Sequence, residues 1–132
     1  MANKSDLPAV FDRLKEIFAA YEKKMDVATN TPKMYMLNTR HLLKKNYPLV
    51  FGAVRLGKNY VSYHLMSVYA VPDDAKTISP ELKKRMQGKA CFNFKEVDEK
   101  LFKELAQLTK IGAKRFSDEK FIEQMRQMYT RR

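Results

Sequence analysis

The chain has 132 residues, with 26 Lys and Arg against 15 Asp and Glu, for a formal charge of +11. That length suits a single domain spanning 1–132, since one core usually serves about 100–150 residues, and 45% hydrophobic residues with seven Tyr and eight Phe exclude wholesale disorder. One cysteine excludes an intramolecular disulfide framework and a multi-cysteine zinc site built from one chain.

Asp6-Leu7-Pro8 opens a helix, with Asp6 as N-cap and Pro8 in the first turn, where its missing N–H costs nothing. Leu7, Val10, Phe11, Leu14, Ile17, Phe18 and Tyr21 form its apolar stripe, which predicts a helix to about Met25. Thr29-Asn30-Thr31-Pro32 reads as a loop and Met34–Leu37 as a short strand. Residues 38–48 are ambiguous, since Arg40 to Lys45 allow one helical turn before Pro48. Leu49–Leu56 and Tyr60–Val71 read as a hairpin around the Gly57-Lys58-Asn59 turn, with Val61, Tyr63, Leu65, Ser67, Tyr69 and Val71 on one face.

Pro72 to Thr77 reads as a turn. Ser79-Pro80-Glu81 is a helix start with a Ser N-cap, and Gly88 is placed at that helix's end, where left-handed φ is wanted. Ala90–Lys95 alternates as a strand. Asp98 caps the next helix, with Leu101, Phe102, Leu105 and Leu108 as its stripe and Gly112 as its stop. Ser117, between Phe116 and Phe121, is expected to cap a last helix that buries Phe121, Ile122, Met125 and Met128 and frays at Thr130-Arg131-Arg132. Short connections favour antiparallel pairing, and helices gathered at both termini cover one side. The expected fold is therefore α+β: an antiparallel β-sheet packed on one face by N- and C-terminal helices.

The charge is unevenly spread. From Val27 to Pro72 there is no acid against Lys33, Arg40, Lys44, Lys45, Arg55 and Lys58. From Leu82 to Lys95 there is again none, against Lys83, Lys84, Arg85, Lys89 and Lys95. If these stretches share a sheet, one region concentrates anions, while the plainer account is a basic, solvated surface. No phosphate loop, nucleotide fingerprint, nucleophile elbow or His-Glu-x-x-His pair is present, so no cofactor or metal is expected. His41 and His64 both lie in the first acid-free stretch, and Cys91 follows Arg85 and Lys89, which would lower its thiol pKa. A small semi-buried cysteine and a hydrogen-bonded strand histidine are the plainer readings.

Lys58-Asn59-Tyr60-Val61-Ser62-Tyr63-His64-Leu65-Met66 and the later Ile78-Ser79-Pro80-Glu81-Leu82-Lys83-Lys84-Arg85-Met86-Gln87-Gly88-Lys89-Ala90-Cys91-Phe92-Asn93-Phe94 together resemble the YdhG-like domain-of-unknown-function family, a likeness running from about Met34 to Phe116. The resemblance implies a compact α+β fold with a curved antiparallel sheet packed on helices, in small bacterial cytoplasmic proteins. Some relatives are described as frataxin-like iron chaperones.

The leading expectation is a non-enzymatic, cytoplasmic binding module for a small anionic or phosphorylated ligand. Lys58, Tyr60, His64, Arg85, Lys89, Cys91 and Asn93 would line its site, with Arg85 and Lys89 as charge clamps and Tyr60 and His64 as orienting donors. The alternatives are nucleic-acid binding through a sheet face carrying Tyr60, Tyr63 and Tyr69, thiol or acid–base chemistry at Cys91 and His64, and frataxin-like iron binding. No apolar run approaches the roughly 18 residues of a membrane span, so no membrane partner is expected.

Overall fold

The computed structural model describes residues 6–44 and 47–130. Among them, six strands form one fully antiparallel sheet in the order β1-β2-β3-β4-β6-β5. The strands are β1 (Asp26–Asn30), β2 (Met34–Lys44), β3 (Tyr47–Leu56), β4 (Val61–Leu65), β5 (Met86–Gln87) and β6 (Cys91–Phe94). The helices are α1 (Leu7–Ala19), α2 (Met66–Ala70), α3 (Pro80–Lys83), α4 (Glu99–Arg115) and α5 (Glu119–Thr130). The expected α+β architecture is what the chain adopts, and no described helix is long and apolar enough to cross a membrane.

Alternation in the strands decides which side meets the helices. Tyr35, Val54, Tyr63 and Phe92 are register partners in one row across β2, β3, β4 and β6, and each is fully buried. Phe18 of α1 stacks on Tyr63 at 4.5 Å, and the Tyr63 hydroxyl meets the Thr109 hydroxyl of α4 at 2.5 Å. Ile122 and Met125 of α5 join the same continuous core. The next row, on the opposite face, is Met36, Ala53, His64 and Cys91, and all but Ala53 remain partly exposed.

The capping residues act as expected at three helix starts. Asp6, Ser79 and Asp98 each accept a hydrogen bond from the backbone N–H three residues on. The fourth differs. The hydroxyl of Ser117 donates to the Lys114 carbonyl, and Asp118 is the residue that caps α5, accepting from the Lys120 N–H. The Phe116–Phe121 contact is present, with ring centroids 5.4 Å apart. The Met128 side chain and Arg131-Arg132 lie outside the described residues.

Other expectations are corrected. The first helix ends at Ala19 rather than near Met25, and Thr29 and Asn30, read as loop, belong to the exposed edge strand Asp26–Asn30, with the loop left at Thr31-Pro32. Its residues are mostly polar, so no apolar alternation marked it. The ambiguous stretch after Leu37 continues as strand to Lys44, paired with β3, while Lys45 lies outside the described residues. The segment Tyr60–Val71 is strand only to Leu65 and then turns into α2. Gly88 does hold φ +75°, but in the turn between β5 and β6 rather than at a helix end. Gly112 does not stop α4, which runs on to Arg115. There a Cβ would lie 2.3 Å from Ser67 Oγ, so the glycine lets α2 and α4 approach closely.

Candidate anion-binding grooves

The second acid-free stretch is tied to the helical layer at its start. One carboxylate, Glu104 of α4, accepts hydrogen bonds from both the backbone N–H and the hydroxyl of Ser79, each at 2.6 Å. The chain then turns through α3 into β5 and folds back as β6. The Asn93 N–H donates to the Arg85 carbonyl at 2.8 Å, which fixes Arg85 beside β6. The Arg85 guanidinium lies 5.9 Å from the centroid of the Phe94 ring, a cation–π contact that holds it at the edge of the core.

Asn93 joins three strands through its side chain. Its Oδ1 accepts from the Ser62 hydroxyl of β4 at 2.8 Å, and its Nδ2 donates to Gln87 Oε1 of β5 at 2.6 Å. Beside this clamp is a groove of about 630 Å³ lined by Asn59, Tyr60, Lys84, Arg85, Met86, Gln87, Asn93 and Lys95. A smaller groove of about 220 Å³ adjoins it, lined by Arg55, Gly57, Lys58, Asn59, Tyr60 and Ser62. The two share Asn59 and Tyr60. Tyr60 is placed by the turn before β4, where the Gly57 N–H donates to the Tyr60 carbonyl at 2.9 Å.

Arg55 and Lys58 come from the first acid-free stretch, and Lys84, Arg85 and Lys95 from the second. The two stretches thus converge on adjoining grooves with five cationic side chains and no carboxylate. None of the five forms an ion pair among the described residues. A concave surface of one charge sign focuses its potential and raises the local concentration of counter-ions. Arginine adds a planar fork of donors suited to phosphate or carboxylate oxygens.

The seven residues singled out from sequence fall into three places. Tyr60, Arg85 and Asn93 line the larger groove, and Lys58 joins Tyr60 in the smaller one. His64 and Cys91 are register partners two rows along from Ser62 and Asn93, with Nδ1 and Sγ 3.2 Å apart, outside both linings. Lys89 is exposed in the turn after β5 and also outside both linings. Burial pushes the Cys91 thiol up and the His64 imidazolium down. This is the reverse of the activated thiol weighed as an alternative, and it fits the plainer reading of a semi-buried cysteine beside a hydrogen-bonded strand histidine. Arg55, Lys84 and Lys95 were missed as site residues, although their place in the acid-free stretches marked them. Asn59, Ser62 and Gln87 carried no such signal.

Of the three tyrosines considered for base stacking, only Tyr60 stands at a groove. Tyr63 is fully buried under Phe18, and Tyr69 belongs to α2. Among the described residues no group of three or more His, Cys, Asp or Glu stands close enough to hold a metal ion. Comparison with family models, with curated proteins and with solved structures finds no match.

Proposed function

We propose that the protein is a non-enzymatic, cytoplasmic module that binds a small phosphorylated anion in the two grooves meeting at Asn59 and Tyr60. One observation carries this reading: Arg55, Lys58, Lys84, Arg85 and Lys95 converge there with no carboxylate in either lining. Arg85 supplies a bidentate donor, the lysines supply compact charges, and Tyr60 with Asn59 supplies neutral hydrogen-bonding groups that orient the ligand. The two blocks that resemble YdhG-like proteins are the segments that build most of these grooves. The proposed kinship and the proposed site therefore rest on overlapping residues.

Calorimetric titration with pyrophosphate at low and raised salt tests the proposal. Saturable binding is expected, weakened about tenfold by Arg85→Ala, the scale of one lost charge-assisted contact. Absence of binding at low salt, or affinity unchanged from wild type in both Arg85→Ala and Lys84→Ala, overturns it.

A second reading is single-stranded nucleic acid laid along both grooves, favoured by their adjacency and by Tyr60 at their junction. Tighter binding of a mixed oligonucleotide than of pyrophosphate, falling steeply with salt, would favour it. With Tyr63 and Tyr69 removed from the platform, a small ligand is the better-supported of the two. The frataxin-like iron reading has less support, since oxygen-ligand iron sites want carboxylates and the grooves have none.

A further inference from the structure

A separate recess lies where the turn after α1, strand β2 and the last turns of α4 come together. Its volume is about 450 Å³, within the range of small-molecule sites, and it shares no residue with the two grooves. Its apolar wall is the outer layer of the core. Phe116 and Met25 are nearly buried, and Tyr21 and Phe116 each meet the Phe51 ring edge-on at 5.7 Å.

Its polar lining is cationic. Lys24, Arg40, Lys110 and Lys114 border it together with His41 of β2, and the lining contains no Asp or Glu. Arg40 is already engaged, with Nε 3.4 Å from Asp26 Oδ1 and a hydrogen bond to the Lys23 carbonyl. The ammonium groups of Lys24, Lys110 and Lys114 have no ion-pair or hydrogen-bond partner among the described residues. Lys114 has a structural reason to be there, since a cation in the last helical turn complements the helix dipole. That account covers neither Lys110, one turn earlier, nor Lys24, which arrives from a different segment. Three uncompensated cations around a recess with low-dielectric walls repel one another and attract an anion.

We infer that this recess binds a small organic anion with an aromatic body. The body rests against Tyr21, Met25 and Phe116, where edge-to-face ring contacts add to apolar burial. The phosphate or carboxylate head sits among Lys24, Lys110 and Lys114. The pairing of an apolar wall with a cationic rim selects for both halves of the ligand at once, unlike the β4–β6 grooves, where polar and apolar surface are about balanced.

The test is calorimetric titration of the full chain with 1-naphthyl phosphate, inorganic phosphate and 1-naphthol, with chemical shifts of the Met25 methyl and the Phe116 ring followed by NMR. Naphthyl phosphate is expected to bind at least about tenfold more tightly than either fragment and to shift both resonances. Affinity at this recess, read from those two resonances, is expected to fall severalfold in Lys110→Ala and in Lys24→Ala, at exposed positions that leave the core intact, and to keep its wild-type value in Lys100→Ala, an exposed lysine of α4 outside all three linings. Binding of naphthyl phosphate that shifts neither resonance, equal affinity for inorganic phosphate at the recess, or unchanged affinity there in both lysine variants overturns the inference. The first of these outcomes would assign the ligand to the β4–β6 grooves instead, so this site and the proposed function fail separately.

Discussion

His64 and Cys91 face one another across β4 and β6 with Nδ1 3.2 Å from Sγ, and burial keeps both groups in their neutral forms. The pair is two rows from the Ser62–Asn93 hydrogen bond, on the same face of the sheet. A neutral thiol beside a neutral imidazole is a poor nucleophile, because the thiolate is the reactive species. Cys91 is therefore expected to react with iodoacetamide at neutral pH more slowly than glutathione does. Equal or faster alkylation would show an activated thiol.

The same shifts set the pH dependence of stability. The folded pKa of His64 lies below its ordinary 6.5, so the unfolded chain binds more protons just below that value. Stability is level above pH 6.5 on this account and declines as pH falls beneath it. The folded pKa of Cys91 lies above its ordinary 9.0, so its contribution is complete below 9.0 and is lost as pH rises past it. Urea denaturation across pH is expected to show His64→Gln flattening only the acid limb and Cys91→Ala only the alkaline limb, each read as a difference from wild type.

Gly112 and Ser67 make an over-packing test. A Cβ at Gly112 would lie 2.3 Å from Ser67 Oγ and 2.9 Å from Ser67 Cβ. Alanine favours a helix over glycine by about 1 kcal/mol, but forcing atoms into a filled interior typically costs ~1–3 kcal/mol. Gly112→Ala is thus expected to destabilise in urea denaturation. Ser67→Ala alone is expected to be neutral or stabilising, since Ser67 Oγ is buried without a hydrogen-bond partner. The double variant should recover part of the loss, because only the Oγ clash is relieved. A more stable Gly112→Ala protein would show that α2 and α4 can move apart freely.

The same contact explains which parts of the fold were legible from sequence. Val61, Tyr63 and Leu65 alternate and are fully buried, so the pattern read correctly as far as local pairing extends. Past Leu65, which pairs with Gly52, the chain becomes helical, and Ser67 turns into α4 against Gly112. Met66–Ala70 has no local signal for this, because Val and Tyr fit a strand equally well. Caps at Asp6, Ser79 and Asp98 were readable because a side chain meets an amide three residues away. The grooves were half readable. Charge runs along the chain contained Arg55, Lys84 and Lys95 without singling them out as site residues, and Lys24, Lys110 and Lys114, which border the separate recess, meet only through tertiary packing.

Asp74 and Arg115 form a bidentate pair at 2.7 and 2.9 Å, with Asp74 largely buried. Arg115→Met would leave a buried carboxylate without its partner. The expected loss is about 2 kcal/mol, the scale of charged hydrogen bonds, measured by urea denaturation. Arg115→Met combined with Asp74→Asn should cost less than the two single changes added together, because the residual charge is then gone. Strict additivity would mean the pair does not couple.

Glu104 links stability to the proposed binding site without lining it. Its carboxylate holds Ser79 by two donors, and Ser79 begins the segment that delivers Lys84 and Arg85 to the larger groove. Glu104→Ala leaves both donors without that acceptor and frees the start of α3. The expected results are a stability loss of about 1–3 kcal/mol and a severalfold weaker affinity for pyrophosphate. Ser79→Ala removes one of the two donors together with the cap to Leu82, so its effect on affinity should be similar in direction. Exposed Glu123, on α5 and away from the groove linings, provides the comparison: Glu123→Ala removes one acidic charge, as Glu104→Ala does, and should not weaken binding. If Glu104→Ala destabilises the protein while pyrophosphate affinity stays at the wild-type value, Lys84 and Arg85 are held by β5 and β6 alone, through the Asn93 N–H to Arg85 carbonyl bond and the Phe94 ring.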